Sequence, residues 1–232
     1  TIAEIQEYAY SLSEEGIWIN FYGSNNLKTI LDDGTKLNIR QQSDYPWDGN
    51  IKLILDEIPA NYILLLRIPG WAKNAKIIIN GETIQKQTEP GTYLGISREW
   101  KSGDVIELTL PLETMLIEAN PLVEETRNQV AVKRGPVVYC LESPDVENGK
   151  RIFDYKIPSD IQLKPKEIEI ADSKVVALEG EFISHAPANW KNKLYREVSS
   201  ENITKTKIQL IPYYAWDNRG ESEMTVWIPY AQ

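Results

Sequence analysis

A single histidine, His185, and a single cysteine, Cys140, are all the imidazole and thiol that these 232 residues contain. A protein-only zinc site draws its ligands from several His, Cys, Asp and Glu side chains, and a serine or cysteine triad needs a histidine beside its nucleophile. The shortage argues against both chemistries within this chain. One cysteine cannot form an internal disulfide, so cross-linking adds nothing to stability, and the compartment stays open between cytoplasmic and extracytoplasmic. Positive charge is also scarce: 25 Lys and Arg against 34 Asp and Glu leave a net charge of −9 and a pI near 4.9. Such a surface repels phosphate backbones, so no nucleic-acid partner is expected. Long apolar runs are missing too. A spanning helix needs roughly 18 such residues, and the best run, Tyr62 to Ile68, is broken by Arg67. No membrane partner is expected, and neither low-complexity tracts nor a fixed-period repeat occurs.

The first residues carry the one helical pattern. Ile2, Ile5, Ala9 and Leu12 recur at the spacing of one helix face, and Gly16 can supply a left-handed cap, which predicts a short N-terminal helix over 1–16. A helix of about 14 residues is marginal alone in water. Its apolar face must pack on something, either the domain that follows or a helical domain upstream. The chain opens at Thr1 without an initiator Met or a signal-like segment, as a piece of a longer polypeptide would.

From Ile17 onward, alternation with a period of two takes over. Strands are expected near Ile17 to Phe21, Thr35 to Gln41, Ile51 to Ile58, Tyr62 to Ile68, Ala75 to Ile79, Thr92 to Ile96 and Asp104 to Leu110. Asp33-Gly34, Asp48-Gly49, Asn80-Gly81 and Ser102-Gly103 supply turns between them, Asn80-Gly81 being a strong hairpin signal. A second block is expected at Val130 to Lys133, Val137 to Leu141, Ile168 to Ile170, Lys174 to Ile183, Lys207 to Tyr213 and Met224 to Tyr230, with the polar, proline-bearing stretch from Ser143 to Pro165 as a long surface excursion. The fold class is therefore all-β: two tandem antiparallel, jelly-roll-like β-sandwiches over 17–120 and 121–232, preceded by one short helix.

Candidate functional residues each have a plain structural alternative. Cys140, inside Val137 to Leu141, reads as a buried strand residue, and His185 as a loop or capping group. Asp44, Asp48, Glu124, Glu125, Glu142 and Asp145 lie near turns, where a glycosidase acid and base could be drawn from carboxylates, but a pair's geometry is tertiary. No catalytic or metal-binding residue is assigned. Seven Trp and twelve Tyr residues raise the question of sugar stacking. The best contacts are Trp47 and Asp48 in the turn Tyr45-Pro46-Trp47-Asp48-Gly49, whereas Trp71, Trp100 and Trp227 look structural. Asn202-Ile203-Thr204 matches a glycosylation acceptor, a triplet too common to carry weight.

An ordered series of short motifs adds what spacing cannot. Tyr8-Ala9-Tyr10-Ser11, Gly16-Ile17-Trp18-Ile19-Asn20-Phe21-Tyr22, Tyr45-Pro46-Trp47-Asp48-Gly49 and Arg67-Ile68-Pro69-Gly70-Trp71 are followed by Trp100-Lys101-Ser102-Gly103-Asp104, Arg134-Gly135-Pro136-Val137-Val138-Tyr139 and Ile211-Pro212-Tyr213-Tyr214-Ala215-Trp216-Asp217-Asn218-Arg219-Gly220. In this order they resemble the C-terminal portion of glycoside hydrolase family 127, the β-L-arabinofuranosidase family. The resemblance implies that an upstream (α/α)6 barrel carries the chemistry, with a cysteine nucleophile and a zinc held by cysteines and a glutamate, none of which has a counterpart here. It also implies that residues 1–16 close that barrel. No cofactor is then expected in this chain, with zinc confined to the missing barrel. The expected partners are that barrel, a plant-derived arabinose-containing oligosaccharide and a second copy in a homodimer. The alternatives are a carbohydrate-binding module and a self-contained carboxylate glycosidase.

Overall fold

The computed structural model describes residues 2–14, 16–147, 150–185, 194, 195, 197 and 203–231. They divide into two compact units, Thr1–Glu113 and Thr114–Gln232. The first carries β1 (Tyr10–Ser13), β2 (Gly16–Ile19), β3 (Asn25–Ile30), β4 (Lys36–Ser43), β5 (Asn50–Glu57), β6 (Ile63–Ile68), β7 (Lys76–Ile79), β8 (Glu82–Thr83), β9 (Thr92–Ser97) and β10 (Asp104–Thr109). A four-stranded sheet, β1-β2-β6-β9, faces a six-stranded one, β3-β4-β5-β10-β7-β8. Their inward side chains form one core: Ile17, Ile19, Leu64, Leu66, Ile68, Leu94 and Ile96 meet Leu37, Ile39, Ile51, Leu53, Leu55, Ile77, Ile79, Ile106 and Leu108. Each strand contributes every second residue, as the pleat requires, so the apolar alternation in the sequence is the cause of the sandwich.

The expected N-terminal helix does not form. Ile2–Tyr8 is a 3-10 segment, and Tyr10–Ser13 is a strand paired antiparallel with β2, Leu12 opposite Ile17. So short a helix cannot offset its nucleation cost, whereas β1 gains a ladder of hydrogen bonds on a sheet that already exists. Gly16 is a strand residue rather than a cap. A Cβ there would lie 2.1 Å from the Ile63 carbonyl oxygen, so only glycine lets β2 approach β6.

The second unit carries β11 (Thr114–Glu118), β12 (Gln129–Arg134), β13 (Val137–Glu142), β14 (Tyr155–Pro158), β15 (Lys164–Ile170), β16 (Ser173–His185), β17 (Ile203–Pro212), β18 (Met224–Thr225) and β19 (Ile228–Ala231). Its boundary falls upstream of the expected Pro121 because β11 pairs with β12. Pairings run β12-β19-β14-β16-β17-β13 and return to β12, closing the sheet on itself and removing most exposed edge. Tyr139, Tyr155, Ile157, Leu178, Phe182 and Leu210 fill the interior. The stretch from Ser143 to Pro165 is not a bare excursion: it holds β14, with Ile152, Tyr155 and Ile157 buried. The alternation there is only four residues long and sits among polar neighbours, so tertiary pairing rather than local pattern decided it.

Candidate functional site

Cys140 and Ile211 are opposite one another on β13 and β17 and alternate with the interior residues, so they point away from the main core. They are nevertheless buried, because Ile170 and Val175 of the β15–β16 hairpin and Ala215 of the 3-10 segment Tyr213–Ala215 cover them. Burial pushes the Cys140 thiol up to about 12, and the charges of Glu142 and Asp145 push the same way, with Arg219 opposing. A thiol so held is protonated at neutral pH and is not a nucleophile.

Beside it lies the most charged feature of the fold. Glu142 is fully buried at the end of β13 and Asp145 nearly so, and both are gripped by Arg219. The guanidinium donates from Nε to Glu142 Oε2 at 3.0 Å and from Nη1 to Asp145 Oδ1 at 2.9 Å, and its Nη2 contacts both carboxylates. Glu142 Oε1 accepts from the Asp217 backbone N–H at 3.1 Å and from the Ser222 hydroxyl at 3.0 Å. Burial by itself would raise the Glu142 pKa, but these hydrogen bonds outweigh it and leave the carboxyl below its ordinary range. Arg219 is shifted upward, chiefly by Asp145 and against desolvation. The two carboxylates are thus brought together, yet an acid and a base for glycoside hydrolysis need different protonation states and room for a sugar between them. Here one cation clamps both. The network fixes the loop after β17, which displays Tyr213 and Trp216 with rings stacked at 6.3 Å.

The other candidate carboxylates are scattered. Asp44 and Asp48 are exposed on the turn before β5, and Glu124 and Glu125 are exposed on the 3-10 turn Glu124–Thr126, where Glu124 pairs with Arg127 at 3.2 Å. Trp47 is 42% exposed beside Asp48, but an Asp48 oxygen already accepts the Asn50 N–H at 2.7 Å. Tyr45 turns inward from the same segment and stacks on Trp71 at 6.4 Å. Trp100 is buried, its indole N–H donating to the Tyr62 carbonyl at 2.7 Å, as a structural Trp should. The His185 backbone ends β16 opposite Ile203; its side chain, and Asn202 of the glycosylation triplet, lie outside the described residues. Among the described residues no three His, Cys, Asp or Glu side chains converge as metal ligands, so these residues do not fit a zinc-thiolate centre.

A further constellation escaped the sequence reading. On the four-stranded sheet, Trp18 and Tyr93 meet edge to face at 4.8 Å, with Tyr8, Leu12, Asn20 and Phe21 around them in a shallow groove. Trp18 was legible only as the off-face member of a strand, and its partner is far away in the chain. Arg219 was also missed: it stood in a quoted motif, but nothing in the spacing joins it to Glu142.

Two tandem all-β units, each built around its own apolar core, define a class, domains of the β-sandwich type. The comparisons give the family. Residues 16–112 match the profile described as "Beta-L-arabinofuranosidase, GH127 middle domain", and residues 114–229 match "Glycoside hydrolase family 127 C-terminal domain". The chain belongs to glycoside hydrolase family 127. It is 26% identical, over 97% of its length, to the non-reducing end β-L-arabinofuranosidase of Bifidobacterium longum subsp. longum, and spans 35% of that protein. A solved "Glycoside hydrolase" matches all of it at 46% identity and a TM-score of 0.93, with 38% of that structure covered. A GH127 β-L-arabinofuranosidase from Geobacillus stearothermophilus T6 matches 99% of it at 34% identity and a TM-score of 0.88, with 36% covered. The chain therefore spans little more than a third of its relatives' length.

Proposed function

We propose that this chain is the non-catalytic sandwich region of a β-L-arabinofuranosidase-like hydrolase acting on arabinose-containing plant glycans. Its work is to support a catalytic barrel formed by other parts of the same polypeptide, and zinc belongs to that barrel. The observation that carries the reading is the pair of matches, a middle and a C-terminal domain, which together span about a third of the relative from Bifidobacterium longum. The clamped Glu142 and Asp145 and the protonated Cys140 agree with it. The test is hydrolysis of an aryl β-L-arabinofuranoside by the 232-residue chain and by a polypeptide extended N-terminally. Turnover is expected from the extended protein alone. Turnover by metal-free short chain that one Asp or Glu substitution abolishes would overturn the proposal.

A carbohydrate-binding module is the second reading, favoured by the exposed Trp47 and Asp48 on one turn. Saturable binding of arabino-oligosaccharides that is lost in Trp47→Ala would support it, and calorimetric titration measures it.

A further inference from the structure

We propose that the loop after β17 carries a binding site for a neutral saccharide, made by the rings of Tyr213 and Trp216 with the carboxylate of Asp217. Such a site needs no catalytic residue and goes beyond the supporting role proposed above. Tyr213 opens the 3-10 segment and Trp216 caps its end, and side chains three residues apart on such a turn eclipse one another. Both rings therefore leave the backbone on one side. They lie within 18° of parallel with centroids 6.3 Å apart, and the two residues are 47% and 39% exposed. Elsewhere in the fold large aromatics are held by their polar atoms: the Tyr139 hydroxyl donates to the Val176 carbonyl at 2.9 Å and the Trp100 indole to the Tyr62 carbonyl. Among the described residues, the Tyr213 hydroxyl and the Trp216 indole N–H make no hydrogen bond.

The loop is rigid before any ligand arrives. Ala215 is buried beside Cys140 and Ile211, the Asn218 amide donates to the Ala215 and Trp216 carbonyls at 3.2 Å each, and the Asp217 N–H is held by Glu142. Glu142 ties the loop in turn to Arg219 and Asp145. A buried ion network is seldom the most stabilising way to fill a core, so its use here is accounted for by the aromatic display it holds, which lowers the ordering cost of binding. The ligand follows from the chemistry of the loop. An aromatic face takes the C–H face of a sugar ring, while the hydroxyls at the ring edge need donors and acceptors. The phenol and the indole supply the donors. Asp217 supplies the acceptor: it is exposed, it turns the chain at a φ of 66°, and its carboxylate has no partner among the described residues. An apolar protein surface laid on this loop would strand those groups unpaired. An anionic glycan would meet both Asp217 and a net charge of −9. A neutral oligosaccharide meets neither obstacle.

The test is calorimetric titration of the 232-residue chain with arabino-oligosaccharides and cello-oligosaccharides, two neutral probes that separate furanose from pyranose recognition, and with anionic oligogalacturonides. Saturable binding at millimolar Kd or tighter is expected for at least one neutral probe and weaker binding for the anionic one. Trp216→Ala weakens it about tenfold or more, the loss of an aromatic anchor, and Trp216→Phe much less. Asp217→Asn, which still accepts a positive φ, weakens it about threefold to tenfold, the effect of one hydrogen bond. Trp47→Ala leaves it unchanged. Cys140 staying inert to a thiol reagent shows that the loop still covers it; where Trp216→Ala exposes it, Tyr213→Ala carries the same expectation. No saturable binding of either neutral probe, equal or tighter binding of the anionic one, full binding in Trp216→Ala, an equal loss in Trp47→Ala, or a dimer that Trp216→Ala dissolves in light scattering each overturns the inference. Hydrolysis by the N-terminally extended polypeptide is read separately, so failure of this site leaves the proposed function standing.

Discussion

Removing Arg219 should be the most damaging single change in the second unit that leaves its apolar core intact. Arg219→Ala strips Glu142, fully buried, of the cation that pairs with it and Asp145 of the same partner, leaving the Asp217 N–H and Ser222 to solvate a full negative charge. Breaking a buried pair by deleting one partner costs about 3–5 kcal/mol. Cys140, the sole thiol and a buried neighbour on the same strand, reports the opening of this unit directly. At fixed pH its labelling by a disulfide reagent should accelerate by about two to three and a half orders of magnitude, one order per 1.4 kcal/mol. Acid gives a second check. In the unaltered protein the Glu142 pKa is lowered, so its stabilisation is present above the unfolded value, about 4.3, and is lost as pH falls through the folded value. In Arg219→Ala desolvation dominates and the buried carboxylate is relieved by protonation, so the two proteins should converge in stability as pH drops through that region. A loss below about 1 kcal/mol, the range of an exposed pair, or a gap that widens in acid, would refute the reasoning.

Other outcomes follow from the same structure. Asn80→Ala should cost about 1–3 kcal/mol, because Asn80 holds a positive φ of 50°, donates to Asp104 at 2.8 Å and accepts from the Val105 N–H at 2.8 Å; urea unfolding measures it. Phe182→Ala should cost about 3–5 kcal/mol, since its ring is fully enclosed, while Phe153→Ala, half exposed, should be nearly silent in the same thermal melts. Native Cys140 should resist iodoacetamide at pH 8 and react at the ordinary thiol rate in guanidinium, because its pKa of about 12 leaves almost no thiolate; rapid native alkylation would contradict its burial.

Strand positions were legible where alternation was long and bounded by turn residues. Leu37, Ile39 and Gln41 of β4, Leu64, Leu66 and Ile68 of β6, and the Asn80-Gly81 hairpin all lie inside expected elements. Edge strands were not: β3 reads Asn-Asn-Leu-Lys-Thr-Ile with little burial, and β11 is half exposed, so neither carries an apolar stripe. The helix expected over 1–16 shows the converse error, in which a local period of three to four lost to pairing with β2.

Composition alone determined the chemistry that this chain lacks the residues to perform, because one His and one Cys cannot build a thiolate-zinc centre whatever the fold. Local alternation determined that both units would be built of strands, because a period of two leaves each strand one apolar face to bury; which neighbours pair, and that β2–β6 and β14–β19 run parallel, it did not contain. Only the tertiary structure decided that Glu142, Asp145 and Arg219 meet, and that Trp18 stands against Tyr93. Those contacts join residues dozens of positions apart, and their distances are set by sheet register, which no short window of sequence contains.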